Sequence, residues 1–500
     1  MRLRLPALRL PTRQTMLWAA VSLGLAAVIV LFFPFRYRIE FDADEGVNAI
    51  KAMMVLRGYR LYAHIWSDQP PLFTYLLAGW FRVFGLRAVV GRGLVLLFST
   101  ALVSLGASYL RRFWGGLAAV CALGTFLLLP FFPRLSVSMM IGLPAISLAF
   151  ASFYALARWH EGHRLPWLLI SALLLGLSIL TKGFTFILAP IWFLGIILSV
   201  RGREAREKPG AKAWTGPALW LGLLVLIGVT AAVGLVGVGN LDQLVDVHLQ
   251  AGQTEAFEVS STHPPLGYYL SESMTLFLLA AAGAWTAVRR RSWTALYLAA
   301  WIVVGYVLLA VNNPAWYHHQ LLLTVPATVL ASIAVATSIR DLAGIRNRPS
   351  TPLGVVGNLA CVGLFLAFLS VRVPGTLDGL DVRLPNFRGP SPGEEAEREL
   401  LGVMGNHVAE THWLYTDRPM FAFLTQLPVP PNLAVITSKR LLTGRLTEEE
   451  VLRTLEEYKP EMILNARFSL PAVQEYMRTR NYARIDSTMK YRLYIRPTPP

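Results

Sequence analysis

The chain has 500 residues, 54% of them hydrophobic and only 15% charged, with a net charge of +16 and a mean hydropathy of +0.49. A soluble globular chain carries about a quarter charged residues, and here the apolar residues come in blocks of about 20, the length that crosses a hydrocarbon core of about 30 Å. The basic excess falls in short clusters between those blocks, which excludes a nucleic-acid partner and points to membrane orientation.

In chain order, a basic N-terminus (Met1 to Gln14) precedes an apolar run from Met16 to Phe35. That run is long for the apolar region of a signal peptide and lacks a small-residue cleavage pattern before Arg36, so it reads as a retained span. A long outer loop follows at 36–87. Further spans are expected at Ala88–Leu110, Trp114–Phe132, Met139–Ala157, Trp167–Leu180, Phe184–Val200, Pro217–Val238, Ser273–Val288, Thr294–Val311, Leu321–Ile339 and Leu353–Val373. The total is about eleven transmembrane helices. With the N-terminus cytoplasmic, the loops on that side hold Arg111–Arg112, Arg158 with Arg164, Arg201 to Lys212, Arg289 to Arg291 and Arg340 to Arg348, whereas Gly239–Pro265 and Asn312–Gln320 hold no Lys or Arg. This is the positive-inside pattern. The odd number of spans places residues 374–500 outside the cytoplasm. There, strand-like runs (His412–Thr416, Leu433–Thr437, Met462–Asn465, Tyr491–Ile495) alternate with helical ones (Thr447–Tyr458, Ala472–Arg480), as in a small α/β domain. The expected architecture is an all-α polytopic membrane domain, 1–373, followed by a small extracytoplasmic α/β domain, 374–500. Cys121 and Cys361 lie in apolar blocks and read as neither disulfide nor metal ligands.

The outer loop carries the chemistry-bearing residues. Asp42, Asp44 and Glu45 place three carboxylates within four residues, soon after a span. A poorly solvated carboxylate at a membrane surface is a strengthened base for an incoming hydroxyl. The same residues also suit a helix start, with Asp42 or Asp44 as the cap of a helix over Glu45–Leu56. Asp68 precedes Pro70-Pro71-Leu72, which opens an amphipathic aromatic helix suited to the membrane interface. Lys182 lies between two spans at the outer face, either snorkelling or holding a lipid phosphate. Arg134 lies in another outer turn. Tyr317 and His318 stand at a span entrance, as an aromatic belt or as donors to a phosphate or sugar. His263 precedes Pro264-Pro265 and a Tyr268-Tyr269 pair. All these fall on one side of the membrane, which suits an enzyme acting on a lipid-linked substrate. The alternative, a multi-pass lipid or solute transporter or flippase, calls for ionisable residues deep in the spans and for duplicated halves. The spans carry almost none of the former, and no repeat is evident.

The order of Asp44-Glu45 after the first span, Pro70-Pro71-Leu72, and "GLSILTKG" at Gly176–Gly183 resembles the GT-C glycosyltransferases of the protein O-mannosyltransferase and aminoarabinose transferase type. The resemblance covers about the N-terminal two-thirds of the chain. It implies transfer of a sugar from a polyprenyl-phosphate carrier to an acceptor glycan, lipid or protein, with inversion, at the extracytoplasmic face of the cell membrane. It also implies Asp44 as general base, with Asp42 second choice and Glu45 positioning the base or acceptor. Lys182, with Arg134, Tyr317 and His318, would bind the donor phosphate. Asp68 and His263 fall where aminoarabinose transferases share a metal ion between a glutamate and a histidine, so a divalent metal is the one cofactor implied. Aspartate instead of glutamate is a departure, and so is Gly46-Val47-Asn48, where many relatives carry an aromatic residue or Arg.

Overall fold

The computed structural model describes residues 38–204, 214–245, 266–311, 316–344, 351–381, 392–485 and 491–496, besides a few positions before residue 28. The span expected at Met16–Phe35 lies almost wholly outside them. Each of the ten expected later spans coincides with a helix. Six helical segments are long and apolar enough to cross a membrane: Ala88–Trp114, Gly183–Gly202, Thr215–Val236, Trp293–Val311, Tyr317–Ala343 and Pro352–Pro374. Gly116–Leu128, Leu165–Thr181 and Met274–Arg289 are shorter apolar helices, and Gly142–Gly162 is a further helix of 21 residues.

The helix Leu321–Ala343 is the hub, buried along most of its length. Its Ala, Ser and Thr side chains leave room for close neighbours, the usual basis of helix packing in lipid. Met274–Arg289 approaches it so closely that a Cβ at Gly283 would lie 2.0 Å from the Leu330 carbonyl oxygen. Pro352–Pro374 lies at the rim, with long apolar side chains such as Leu353, Val356 and Leu366 exposed, as a lipid-facing helix requires.

Two helices in the 36–87 loop lie over the bundle. The first, α1 (Ala43–Leu56), begins at Asp42, whose carboxylate accepts the Asp44 amide at 3.1 Å. The capping reading of Asp42 is therefore correct. The second, α2 (Leu72–Phe84), starts after Pro71 and buries Phe73, Leu77, Ala78 and Phe81. These recur at helical spacing on one face.

The C-terminal region holds a four-stranded sheet ordered β1-β2-β4-β3, from β1 (Leu414–Thr416), β2 (Met462–Asn465), β3 (Ala483–Arg484) and β4 (Arg492–Ile495). β1 and β2 are parallel, with Tyr415 opposite Ile463; the remaining pairs are antiparallel. Helices Glu448–Tyr458 and Pro471–Thr479 pack beside the sheet through Val451, Leu455, Val473 and Tyr476. The strand expected at Leu433–Thr437 is not formed. Pro430 and Pro431 open a 3-10 turn over Pro431–Leu433, and Thr437 caps the short helix Ser438–Leu442. The run is apolar because Leu433, Val435 and Ile436 are buried, not because it pairs in the sheet.

The sheet region sits on the 36–87 loop and on the segment that follows Thr215–Val236. Arg418 reaches Glu40 at 2.9 Å, Arg445 reaches Asp242 at 2.9 Å and Lys439 reaches Asp68 at 3.7 Å. Phe423 packs on Phe81 with ring centroids 5.2 Å apart.

Candidate active site

The three adjacent carboxylates have different surroundings. Glu45 is fully buried and saturated. It pairs with Arg92 at 2.8 and 3.1 Å and accepts the amides of Phe41 at 2.7 Å and Met139 at 3.3 Å. Arg92 also donates to the Arg38 and Ile39 carbonyls. This explains a cation near the end of the span Ala88–Trp114: Arg92 and Glu45 together shape the loop before α1. Asn48, one turn on, donates to the Met139 carbonyl at 2.9 Å. Glu45 and Asn48 thus clamp the peptide at Met139, and Glu45 has no oxygen left for a substrate.

Asp42 is shared between the Asp44 amide and the Tyr317 hydroxyl, which donates to it at 2.7 Å. Asp44 instead projects to an open face. Its surface is exposed there, but protein crowds it elsewhere. Withdrawal from bulk water pushes its carboxyl up to about 6, with Asp42 adding to the rise and Lys182 opposing it.

Lys182 caps the C-terminal end of Leu165–Thr181 and is buried, with Nζ 4.8 Å from the Phe184 ring centroid. Among the described residues its ammonium has no carboxylate within 4.0 Å and no hydrogen-bond partner. Burial lowers it to about 8, with Asp44 and Asp68 holding the charge in place. The motif following it meets the Pro-Pro motif directly, since a Cβ at Gly183 would lie 3.9 Å from Pro70 Cγ. Arg134 donates to the Phe41 carbonyl, stands 5.2 Å from the Tyr317 ring centroid, and keeps a buried Nε that has no partner among the described residues. His318 is buried beside Tyr317, ring centroids 5.5 Å apart. Asp42, Asp44, Lys182, Arg134 and Tyr317 therefore form one neighbourhood, with His318 at its edge.

Asp68 joins the same field. It pairs with Lys439 and acts electrostatically on Lys51, Lys182 and Asp44. His263 lies outside the described residues. No group of three His, Cys, Asp or Glu suited to a metal gathers among the described residues. A dication on Asp68 would face the ammonium groups of Lys51, Lys182 and Lys439, so the described surroundings suit a cationic side chain rather than a metal ion.

Three residues of this neighbourhood went unread in the sequence. Lys51 is seven residues after Asp44 on α1, hence on the same face, and that spacing was a usable signal. Lys439 and Arg467 come from the C-terminal region, where no local pattern marks them. Arg467 lines a cleft of about 520 Å³ with Arg38, Glu40, Asp42, Glu394 and Tyr491. Its loop is held by Asp417, whose buried carboxylate accepts the amides of Ala466, Arg467 and Phe468 at 2.9, 2.8 and 2.6 Å.

Residues 68–233 match the family described as dolichyl-phosphate-mannose-protein mannosyltransferase. Among solved structures, ArnT from Cupriavidus metallidurans bound to undecaprenyl phosphate is similar over 98% of this chain and 99% of its own, at 16% identity and a TM-score of 0.63. The same protein in its apo state is similar over 97% and 98%, at 17% identity and a TM-score of 0.60. No curated protein matches the chain in sequence. The resemblance read from the motifs holds: this is a multi-pass membrane protein with the GT-C glycosyltransferase fold.

Proposed function

We propose that this glycosyltransferase moves a sugar from a polyprenyl-phosphate donor to an acceptor hydroxyl or phosphate at the extracytoplasmic face of the cell membrane, with inversion and with Asp44 as general base. The observation that carries the reading is that an open carboxyl at Asp44, pushed up by its surroundings, and the buried ammonium of Lys182 lie in one electrostatic neighbourhood. The unpartnered Nε of Arg134 supports it. Asp44 takes the acceptor proton. The acceptor oxygen bonds to the anomeric carbon, and the bond to the phosphate oxygen breaks with its electron pair leaving on the phosphate. Lys182 and Arg134 neutralise the charge that develops there. A phosphate leaving group needs no general acid, so one carboxylate suffices.

The reading includes a transmembrane domain, 1–373, a cytoplasmic N-terminus and an extracytoplasmic domain, 374–500. The ligand in the related ArnT structure supports a polyprenyl-phosphate carrier. Asp42 orients Tyr317 and caps α1 in this reading, and Glu45 acts only by shaping the loop. A divalent metal enters only if His263 reaches Asp68; equal metal content in wild type and His263→Ala protein would remove it. The reaction is tested with purified protein and a panel of labelled polyprenyl-phosphate sugars, reading the anomeric configuration of the product by NMR. An inverted product supports the single-displacement mechanism, and a retained one contradicts it.

A further inference from the structure

The short helix Ser438–Leu442 is seated on the outer loop beside Asp68. Thr437 caps it, its hydroxyl accepting the Arg440 amide at 3.2 Å. The Arg440 guanidinium donates to the Asn432 and Val435 carbonyls at 2.6 and 2.9 Å and to the Asn432 side chain at 2.8 Å. Its Cζ lies 4.9 Å from the Trp66 ring centroid. Arg440 thus holds this turn together and meets the 36–87 loop at Trp66, and its neighbour Lys439 meets the same loop at Asp68. Lys439 points at Asp68 with a separation of 3.7 Å, longer than the 2.9 Å of the Arg418–Glu40 and Arg445–Asp242 pairs that also join the two regions. Both members remain partly accessible, with side chains 20% and 19% exposed.

Lys439 also shares the field of the candidate site, since it acts on Lys182 and is acted on by Asp44. Around Asp44 the three carboxylates Asp42, Asp44 and Asp68 share a field with five cations, Lys51, Lys182, Lys439, Arg134 and Arg467, an excess of two positive charges. A sugar phosphodiester brings one negative charge. When the acceptor proton moves to Asp44 and the phosphate departs with the electron pair of the broken bond, the site loses one negative charge and the phosphate gains one. The sum is unchanged by the step, but a negative charge moves from Asp44 to the phosphate. Loss of Lys439 would remove one of the cations that neutralise that charge in a poorly solvated setting, where an unmatched charge is most costly.

We propose that Lys439, supplied by the C-terminal domain, is a donor-phosphate-binding residue that exchanges Asp68 for the carrier phosphate when the lipid binds. The proposal rests on the polyprenyl-phosphate reading above. In the unliganded protein Asp68 stores the ammonium at the rim of the site. In the complex the phosphate replaces Asp68 as its partner, so the C-terminal domain closes over the leaving group.

Binding of undecaprenyl phosphate to the full-length protein in nanodiscs tests this, using wild type, Lys439→Gln, Lys439→Arg and Asp68→Asn. Thermal unfolding checks that each variant folds. Lys439→Gln is expected to weaken binding about tenfold, and Lys439→Arg to restore most of it. Asp68→Asn releases Lys439 from its competitor and tightens binding. A mere strut between domains would make Asp68→Asn and Lys439→Gln behave alike, and that parallel loss would overturn the proposal. So would wild-type affinity in Lys439→Gln. Failure of wild type itself to bind the lipid would instead remove the donor reading on which the proposal stands.

Discussion

The carboxylates of Asp44 and Glu45 are one residue apart, yet helix geometry sends them to opposite fates. Asp44 faces the open site and Glu45 turns into the Arg92 pair. Breaking a buried ion pair by removing one partner costs about 3–5 kcal/mol, because the other charge is left uncompensated. Glu45→Ala is therefore expected to lower stability and yield, with activity lost through folding. The thermal midpoint in detergent checks this. At Asp44 the pH profile is diagnostic. The base works deprotonated and its carboxyl titrates near 6, so kcat/KM rises as pH rises through about 6. Lys182 works charged and titrates near 8, so the rate falls as pH rises through about 8. A bell between these limits is expected in proteoliposomes, and a flat profile from pH 5 to 9 would contradict both roles. Linkage adds a second effect. The folded-state pKa of Asp44 lies above its ordinary value, so the proton on Asp44 stabilises the fold at low pH, and that contribution is lost as pH rises towards 6 and beyond. Asp44→Asn should therefore be at least as stable as wild type at pH 8, by thermal unfolding.

At the scale of elements, the fit between α1 and the C-terminal region turns on Gly46. A Cβ there would lie 2.6 Å from both Glu40 Oε1 and the Met420 backbone nitrogen, and backbone cannot give way as a side-chain tip can. Overpacking of this kind costs about 1–3 kcal/mol. Gly46→Ala is expected to loosen the helix Pro419–Thr425 from α1 and expose residues near 418 to limited proteolysis. An unchanged cleavage pattern would show that the two elements tolerate separation. The elements themselves were largely legible. Asp42 as a cap, the Pro-Pro start of α2 and the apolar period of the spans are local signals, and local signals survive folding. The strand expected at Leu433–Thr437 was misread because burial and strand pairing leave the same apolar trace in a sequence. Gly46 could be noted as a departure from relatives, but its cause is Met420, far along the chain, and no spacing rule reaches it.

Over the whole molecule, the C-terminal region covers the face that carries the candidate site through charge pairs between distant segments. Arg418 joins Glu40 at 2.9 Å and Glu397 at 2.9 Å, and Tyr491 donates to Glu397 at 2.6 Å. Burial pushes the Glu40 carboxyl up to about 7 despite Arg418. Removing Arg418 leaves both glutamates without their shared cation and lifts Glu40 further, so Arg418→Ala is expected to detach the region more readily as pH rises well above 7, where Glu40 must at last ionise without that partner. Faster hydrogen exchange of the 38–42 loop would report it. The sequence marked the apolar helices and the motifs from which the candidate residues were drawn. It did not show that Lys439, Arg467 and Arg418 return to the same face, because long-range docking leaves no periodic mark. The claim on which the rest depends is that Asp44 is the base of sugar transfer from a lipid phosphate. The most direct test is release of polyprenyl phosphate from a labelled polyprenyl-phosphate sugar by proteoliposomes holding wild type or Asp44→Asn. Release by wild type that falls by about a thousandfold or more in the variant, with the fold intact, is the expected result. Equal release by the two proteins would contradict it and leave Asp44 as part of a helix start.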